Sequence, residues 1–290
     1  MTLTTAQAFT QFVNSISLTD TQTLEVSAKR TKTSGYLGEA FPSQSTLPLS
    51  RCILIGSADR GTLIRPLDDV DVMAEFANKD SIFETYRYRS GDFLQRIRTA
   101  LHASTSISHI GARGQAVRLF YTSGAHVDIA PVFRRGGGGF MLPSGDGGWI
   151  ATDPEQQASW MAKRRAVVGT TLTPMVKLAK RWNRVHSERF GSYQIEVMTA
   201  AMFSSLSSNY RNALKCFFDW APNWFDVQDP AGYGGALSGG MTKATRAAAT
   251  SRLAEAKTRA EKALKSEAGG DHAEAKRLWR IELGDEFPVN

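Results

Sequence analysis

Apolar positions along the chain follow two spacings, and the change from one to the other divides it. From Thr5 to Leu24 they recur at loose helical intervals, after which Ser27 to Leu49 mixes Lys, Thr, Ser, Gly and Pro as a connector would. Cys52-Ile53-Leu54-Ile55 is a short apolar run closed by Gly56-Ser57, and Asp69-Val70-Asp71-Val72-Met73 alternates polar and apolar residues, so both segments predict strands. Phe83 to Ala103 returns to helical spacing. Ala116 to Tyr121 and His126 to Phe133 then predict a hairpin around Thr122-Ser123-Gly124-Ala125. Gly136 to Gly139, four glycines after Arg134-Arg135, predict a mobile loop. Beyond Asp153 no stretch alternates like a strand.

There the spacing predicts helices. One opens at Pro174 with the stripe Met175, Leu178, Ala179, Trp182 and Val185, leaving Lys177, Lys180, Arg181 and Arg184 outside it. Another runs from Tyr193 to about Ser207. After the Gly-rich break 232–240, an Ala-, Lys-, Arg- and Glu-rich helix spans Thr242 to Leu264, its charges spaced as on a solvated, salt-bridged face. The expected fold class is α+β, a mixed-sheet lobe over 1–150 that includes the N-terminal helix and a mostly helical lobe over 151–290, with the first helix spanning both.

Composition narrows the ligands. In 290 residues, 35 Lys and Arg against 28 acids leave a net charge of +7, which suits a polyanion. No apolar run approaches the ~18 residues that span a bilayer, and the first residues lack the order of a signal peptide. Two cysteines far apart, Cys52 and Cys216, read as buried thiols in a reducing compartment, so the expected location is the cytoplasm, with no membrane partner. His102, His109, His126, His186 and His272 show no zinc-ligand spacing.

The candidate chemistry lies in the acids. Side chains on a strand alternate faces, so Asp69 and Asp71 share one face while Val70 and Val72 take the other. Asp128, between Val127 and Ile129, lies likewise opposite a buried face. A bare Asp-x-Asp pair ordinarily marks a solvent-facing strand; here a Gly-Ser turn precedes it, with eleven residues between Ser57 and Asp69, enough to fold turn and acids to one sheet edge. Two like charges at ~4 Å repel by about 4 kcal/mol at an effective dielectric near 20. A divalent cation would offset that and leave positions for phosphate oxygens.

Gly56-Ser57 with Arg60-Gly61-Thr62, then Asp69-Val70-Asp71-Val72, then Val127-Asp128-Ile129-Ala130-Pro131, resemble in kind and order the polymerase-β-like nucleotidyltransferases. Within them the chain resembles the CD-NTases, bacterial relatives of cyclic GMP-AMP synthase and oligoadenylate synthase. Leu178 to Asn183, Ser192 to Glu196, Trp279 and Gly284 to Pro288 extend the resemblance over most of the chain from Cys52 onward. It implies a polymerase-β-like lobe in which Asp69, Asp71 and Asp128 are catalytic and hold two Mg²⁺ or Mn²⁺ ions, Asp128 also helping to deprotonate the attacking hydroxyl. Gly56 and Ser57 would bind the donor triphosphate, Lys180 its β- and γ-phosphates, Ser192 a phosphate, and Tyr193 would stack on the base; the helical lobe would contribute to the nucleotide pocket.

The activity so implied joins nucleoside triphosphates, ATP and/or GTP, into a cyclic di- or trinucleotide second messenger that activates an anti-phage effector protein. The animal DNA sensor's zinc-dependent DNA platform has no counterpart here. Two alternatives stay open: a linear oligoadenylate or RNA 3′-end nucleotide-adding enzyme, which the same acids and the positive charge would serve, and a catalytically silent nucleotide or nucleic-acid binding module, against which the presence of all three acids argues.

Overall fold

The computed structural model describes residues 3–102, 107–187 and 189–290, with side chains at 107–109, 112 and 113 excluded. In chain order the elements are α1 (Thr5–Ile16), α2 (Asp20–Ala40), β1 (Leu49–Leu54), α3 (Gly56–Asp59), β2 (Asp69–Phe76), α4 (Ile82–Tyr86), α5 (Ser90–Leu101), β3 (Ile107–Arg113), β4 (Ala116–Tyr121), β5 (His126–Arg134), β6 (Phe140–Pro143) and β7 (Trp149–Thr152), followed by helices alone. These are α6 (Pro154–Val168), α7 (Leu172–Val185), α8 (Ser192–Met202), α9 (Tyr210–Trp220), α10 (Lys243–Ala268) and α11 (His272–Leu283). The α+β class holds. The residues group into two compact units, one of 19–60 with 66–158, the other of 1–18, 61–65 and 159–290. A single cut near 150 does not describe them, because α1 and the short segment 61–65 pack with the helices.

In the first unit the alternating runs pair into one mixed sheet of order β1-β2-β5-β4-β3, with β6 and β7 continuing from β5. β2 and β5 are parallel and central, whereas β1 on β2 and β4 on β5 are antiparallel. Val70, Val72, Ala74 and Phe76 of β2 are buried on one face, and the Phe76 ring meets Phe93 of α5 edge-on at 5.4 Å. That face carries the core; the opposite face at the start of β2 and β5 carries the acids.

The expected connector over 27–49 is instead mostly helix, since α2 continues to Ala40. A capping box starts it: Thr19 Oγ1 accepts from the Gln22 amide, and the Gln22 side chain accepts from the Thr19 amide. Its buried residues are Val26, Lys29, Thr33 and Leu37, a helical stripe whose middle is polar. Tyr121 of β4 accounts for those two, for Lys29 Nζ lies 4.2 Å from its ring centroid and Thr33 Oγ1 is 3.0 Å from its hydroxyl. The helix expected over 83–103 is broken into α4 and α5 by the non-helical Arg89, and Ala103 lies outside the described residues. The glycine run is the turn of the β5–β6 hairpin, closed by the Arg135 amide donating to the Gly139 carbonyl. His109 belongs to β3.

In the helical unit, Met175, Leu178, Ala179 and Trp182 of α7 are buried together with Phe9 and Phe12 of α1 and Trp279 of α11. Phe9 meets Trp279 edge-on at 5.0 Å, a geometry that favours aromatic pairs. The stripe of α7 is wider than its apolar residues suggest, because Lys180 and Arg181 are buried too. In α10 the buried positions Ala249, Leu253, Ala256, Ala260 and Ala263 recur at helical spacing under an otherwise charged surface. Among the described residues no helix is long and apolar enough to cross a membrane. Both cysteines are free; Cys52 is buried, which pushes its thiol pKa up to about 11, while Cys216 is half-buried rather than enclosed.

Candidate active site

The parallel register sets Asp69 opposite His126 and Asp71 opposite Asp128. Val70, Val72, Val127 and Ile129 are fully buried, so strand alternation puts the four polar residues on the other face. One ligand atom each from Asp69, His126 and Asp128 lies within 4.8 Å of the other two. An octahedral ion with ~2.1 Å bonds separates opposite ligands by about 4.2 Å, so this set closes around one cation with small side-chain movement. It is a candidate metal site.

Asp71 stands one step along β2 from Asp69 and faces the turn after β1. The Ile55 amide donates to the Asp71 carbonyl at 3.1 Å, which ties that turn to β2. Gly56 follows with φ of +65°, and a β-carbon there would overlap Asp71 Oδ2. Glycine is required twice over, for the left-handed backbone and for the carboxylate lying against it. Ser57, half-buried, is the next residue in α3.

Asp128 is buried, and its carboxylate is held from the next strand. Arg118 of β4 is its direct antiparallel partner and donates from Nε to Oδ1 and from Nη2 to Oδ2, each at 2.7 Å. Such a fork is the strong, orienting kind of charged hydrogen bond. The Arg118 guanidinium is shifted above its ordinary range chiefly by this hydrogen bond, working against partial burial, with the charges of Asp128, Asp69 and Asp71 adding to the shift. Three carboxylates against one guanidinium leave two negative charges, which a single divalent cation balances. Beside them opens a cleft of about 450 Å³ lined by Asp71, Asp128, Ile55, Ala130, Leu142, Ser144 and the turn at 114–116. The cleft shares Asp128 with the candidate metal site.

His126 and Arg118 are the site residues that sequence spacing missed. Zinc-type spacing does not mark His126, because its neighbour Asp69 is on another strand. Arg118 carried a weak signal: in the hairpin it alternates with Val117 and Leu119, so it was bound to share the polar face with Asp128 once the turn length set the register.

In the helical unit, Lys180 is not on a polar face. It is buried, and its Nζ donates to Glu196 Oε1 at 2.9 Å and to the Thr62 carbonyl at 3.1 Å. Glu196 is fully buried, so the ammonium is the counter-charge of a core carboxylate and clamps the 61–65 segment to α7. Ser192 is the exposed first residue of α8. Tyr193, half-buried, donates from its hydroxyl to Asp229 Oδ1 at 3.3 Å, while Asp229 accepts from the amides of Ala231 and Gly234.

With that geometry in place, comparison decides the family. Residues 1–164 match the Second Messenger Oligonucleotide or Dinucleotide Synthetase domain. The chain belongs to this synthetase family. It is a nucleotidyltransferase. A probable cyclic nucleotide synthase of Bacillus cereus is 25% identical over 268 residues, 80% of this chain and 81% of that protein. The cyclic AMP-AMP-AMP synthase of Escherichia coli MS 115-1 is 29% identical over 200 residues, 65% of this chain and 60% of that one. Among solved structures, E. coli MS115-1 CdnC in complex with HORMA-deltaN superposes with a TM-score of 0.80 at 19% identity, covering 98% of this chain and 97% of that one. CdnC with ATP gives 0.78, likewise at 19% identity. At that identity the two structures establish the synthetase fold.

Proposed function

We propose that this member of the family joins nucleoside triphosphates, ATP and/or GTP, into a cyclic di- or trinucleotide that signals to an anti-phage effector protein in the cytoplasm. The observation that carries the reading is the convergence of Asp69, Asp71 and Asp128 on one face of β2 and β5 within a chain matched to the synthetase domain over 1–164. The named activities of the B. cereus and E. coli relatives support the cyclic product, and the structure of CdnC with ATP supports a triphosphate substrate.

In the reaction a ribose hydroxyl attacks the α-phosphorus of the donor. The new oxygen–phosphorus bond forms as the bond to the β-phosphate oxygen breaks, and pyrophosphate leaves with that electron pair. Asp69, Asp71 and Asp128 would hold the Mg²⁺ or Mn²⁺ ions, two by family resemblance, and His126 lies within reach of one. A divalent ion at the site supplies Lewis acidity to the phosphate oxygens and lowers the pKa of a bound hydroxyl. Asp128 accepts the proton of the attacking hydroxyl. It keeps lone pairs for this, because Arg118 uses one direction on each oxygen and a carboxylate offers about four. Gly56 lets the turn after β1 approach Asp71 closely, which suits it and Ser57 to contact the donor phosphates. Ser192, exposed at the start of α8, and Tyr193 are the proposed phosphate and base contacts from the helical unit. Lys180 spends two of the three N–H donors of its ammonium on Glu196 and the Thr62 carbonyl, so in this reading it fixes α7 and the 61–65 segment and the third donor is the proposed contact to the β- and γ-phosphates.

The test is direct. Purified protein with each labelled triphosphate and Mg²⁺ or Mn²⁺ should release pyrophosphate and form a phosphatase-resistant product whose linkage nuclease mapping reads. Asp69→Asn/Asp71→Asn should lose it while melting normally. Undiminished turnover in that variant refutes the mechanism, and a phosphatase-sensitive ladder of products would instead favour the linear polymerising activity.

A further inference from the structure

His126 lies at the acid end of the sheet, and the family resemblance assigns it nothing. Its place is set by β5: it is two residues before Asp128, on the same face, and directly opposite Asp69 across the parallel pair. One of its ring nitrogens falls within 4.8 Å of a carboxylate oxygen of both Asp69 and Asp128. Its Nε2 is buried and has no hydrogen-bond partner among the described residues. A buried imidazole nitrogen without a partner is costly and uncommon, and a metal ion is one of the few partners that would satisfy it. The ring is also held in place, lying 5.6 Å from the Phe120 ring, centre to centre, at an interplanar angle of 37°. Among the described residues this is the group of His, Cys, Asp and Glu side chains close enough together to hold an ion.

We propose that His126 is a nitrogen ligand of the catalytic metal site and tunes it toward a transition ion, Mn²⁺ in preference to Mg²⁺. The inference rests on the reading that Asp69 and Asp128 hold a divalent ion. Mg²⁺ is hard, takes oxygen ligands and gives up water reluctantly. Imidazole suits borderline ions, and nitrogen donors strengthen binding along the first transition series from Mn²⁺ upward. A site of three carboxylates would discriminate weakly between the two ions. Replacing one oxygen position by His126 favours Mn²⁺ without changing the charge of the site, because a neutral ligand adds none. The protein would then work at low Mn²⁺ in the presence of far more Mg²⁺.

The experiment measures the metal and not turnover. The full chain is loaded with Mn²⁺ and its pulsed electron paramagnetic resonance spectrum recorded; imidazole coordination gives a ¹⁴N modulation, which changes to a ¹⁵N pattern when the protein is made with ¹⁵N-histidine. Mn²⁺ and Mg²⁺ affinities are measured in parallel for wild type, His126→Gln and Asp69→Asn/Asp128→Asn. We expect the nitrogen modulation in wild type and its loss in His126→Gln, with Mn²⁺ affinity down by at least the roughly tenfold that even outer-shell partners contribute and Mg²⁺ affinity nearly unchanged. Mn²⁺ bound to wild type without a histidine ¹⁴N signal, or a signal that persists in His126→Gln, overturns the role of His126 and leaves the acid site standing. Mn²⁺ binding that survives in Asp69→Asn/Asp128→Asn overturns the metal-site reading itself, and the assignment of His126 with it. Because the wild-type labelling experiment needs no substitution, poor folding of a variant does not decide the outcome.

Discussion

Arg118 is the place where the site can be perturbed with a calculable result. Its fork holds both oxygens of Asp128 at 2.7 Å, and the side chains of the pair are only 19% and 9% exposed. Arg118→Met keeps much of the packing stem and removes the charge, leaving Asp128 buried beside Asp69 and Asp71 with its main counter-charge gone. Breaking a buried pair from one side costs about 3 to 5 kcal/mol; partial exposure argues for the lower end, about 3 kcal/mol, or roughly 10 °C in the melting of this unit. The same change should tighten metal binding. Even at the dielectric of water, removing one positive charge ~6 Å from a divalent ion strengthens its binding by about 1.4 kcal/mol, a factor of ten. Saturating metal stabilises both proteins, but Arg118→Met by about 1.4 kcal/mol more because the linkage grows with affinity, so Arg118→Met should melt well below wild type in chelator and about half as far below it in saturating Mn²⁺. Melting curves in both conditions for wild type, Arg118→Met, Asp128→Asn and the double variant, with Mn²⁺ titrations, give the coupling as a thermodynamic cycle. If Arg118→Met melts like wild type in chelator, or binds Mn²⁺ no more tightly, Arg118 is not what holds Asp128.

Three further substitutions probe the surrounding design. Gly56→Ala puts a β-carbon into Asp71 and an Ala at φ of +65°; it should cost about 1 to 2 kcal/mol in stability and most of the turnover, and full activity would show that Asp71 does not depend on the close approach. Lys180→Met strands the fully buried Glu196 and should lower stability by about 3 to 5 kcal/mol, with most of it regained in Lys180→Met/Glu196→Leu; a normal melting curve with weakened triphosphate binding would leave Lys180 only the phosphate-ligand role. Burial of Glu282 works to raise its pKa, but hydrogen bonds from His186 and Arg259 and the charges of Arg252 and His186 outweigh it, so the folded value lies below the ordinary one. Its stabilisation is therefore complete above the unfolded pKa near ~4.3 and disappears as pH falls through the lower folded value. Denaturant titrations from about pH 3 to 7 should show a flatter acid limb in Glu282→Gln; an unchanged limb would mean that other carboxylates carry it.

What the sequence determined by itself was the local geometry of the chemistry. Alternation in Asp69-Val70-Asp71-Val72 and in Val127-Asp128-Ile129 follows from the two-residue repeat of a strand, so the acids had to lie opposite the core whatever the sheet's order. The two-residue repeat also marked β4 and β5, and the helical stripe of α7 was visible in Met175, Leu178 and Trp182, because local periodicity needs no knowledge of the partner. The tertiary structure decided the rest. Helix α2 was hidden because its buried stripe includes Lys29 and Thr33, polar residues that become good core neighbours only beside Tyr121. Lys180 looked like a surface cation until α8 supplied Glu196 beneath it. The parallel register of β2 on β5 brought His126 to Asp69, and the antiparallel register of β4 brought Arg118 to Asp128. A strand's own residues say which face each side chain takes, but not which strand lies alongside or at what offset; that is set by the closing of the connections between strands and by the shared burial of their apolar faces, and it is what turned acids legible in the sequence into a site with a counter-charge and a nitrogen donor.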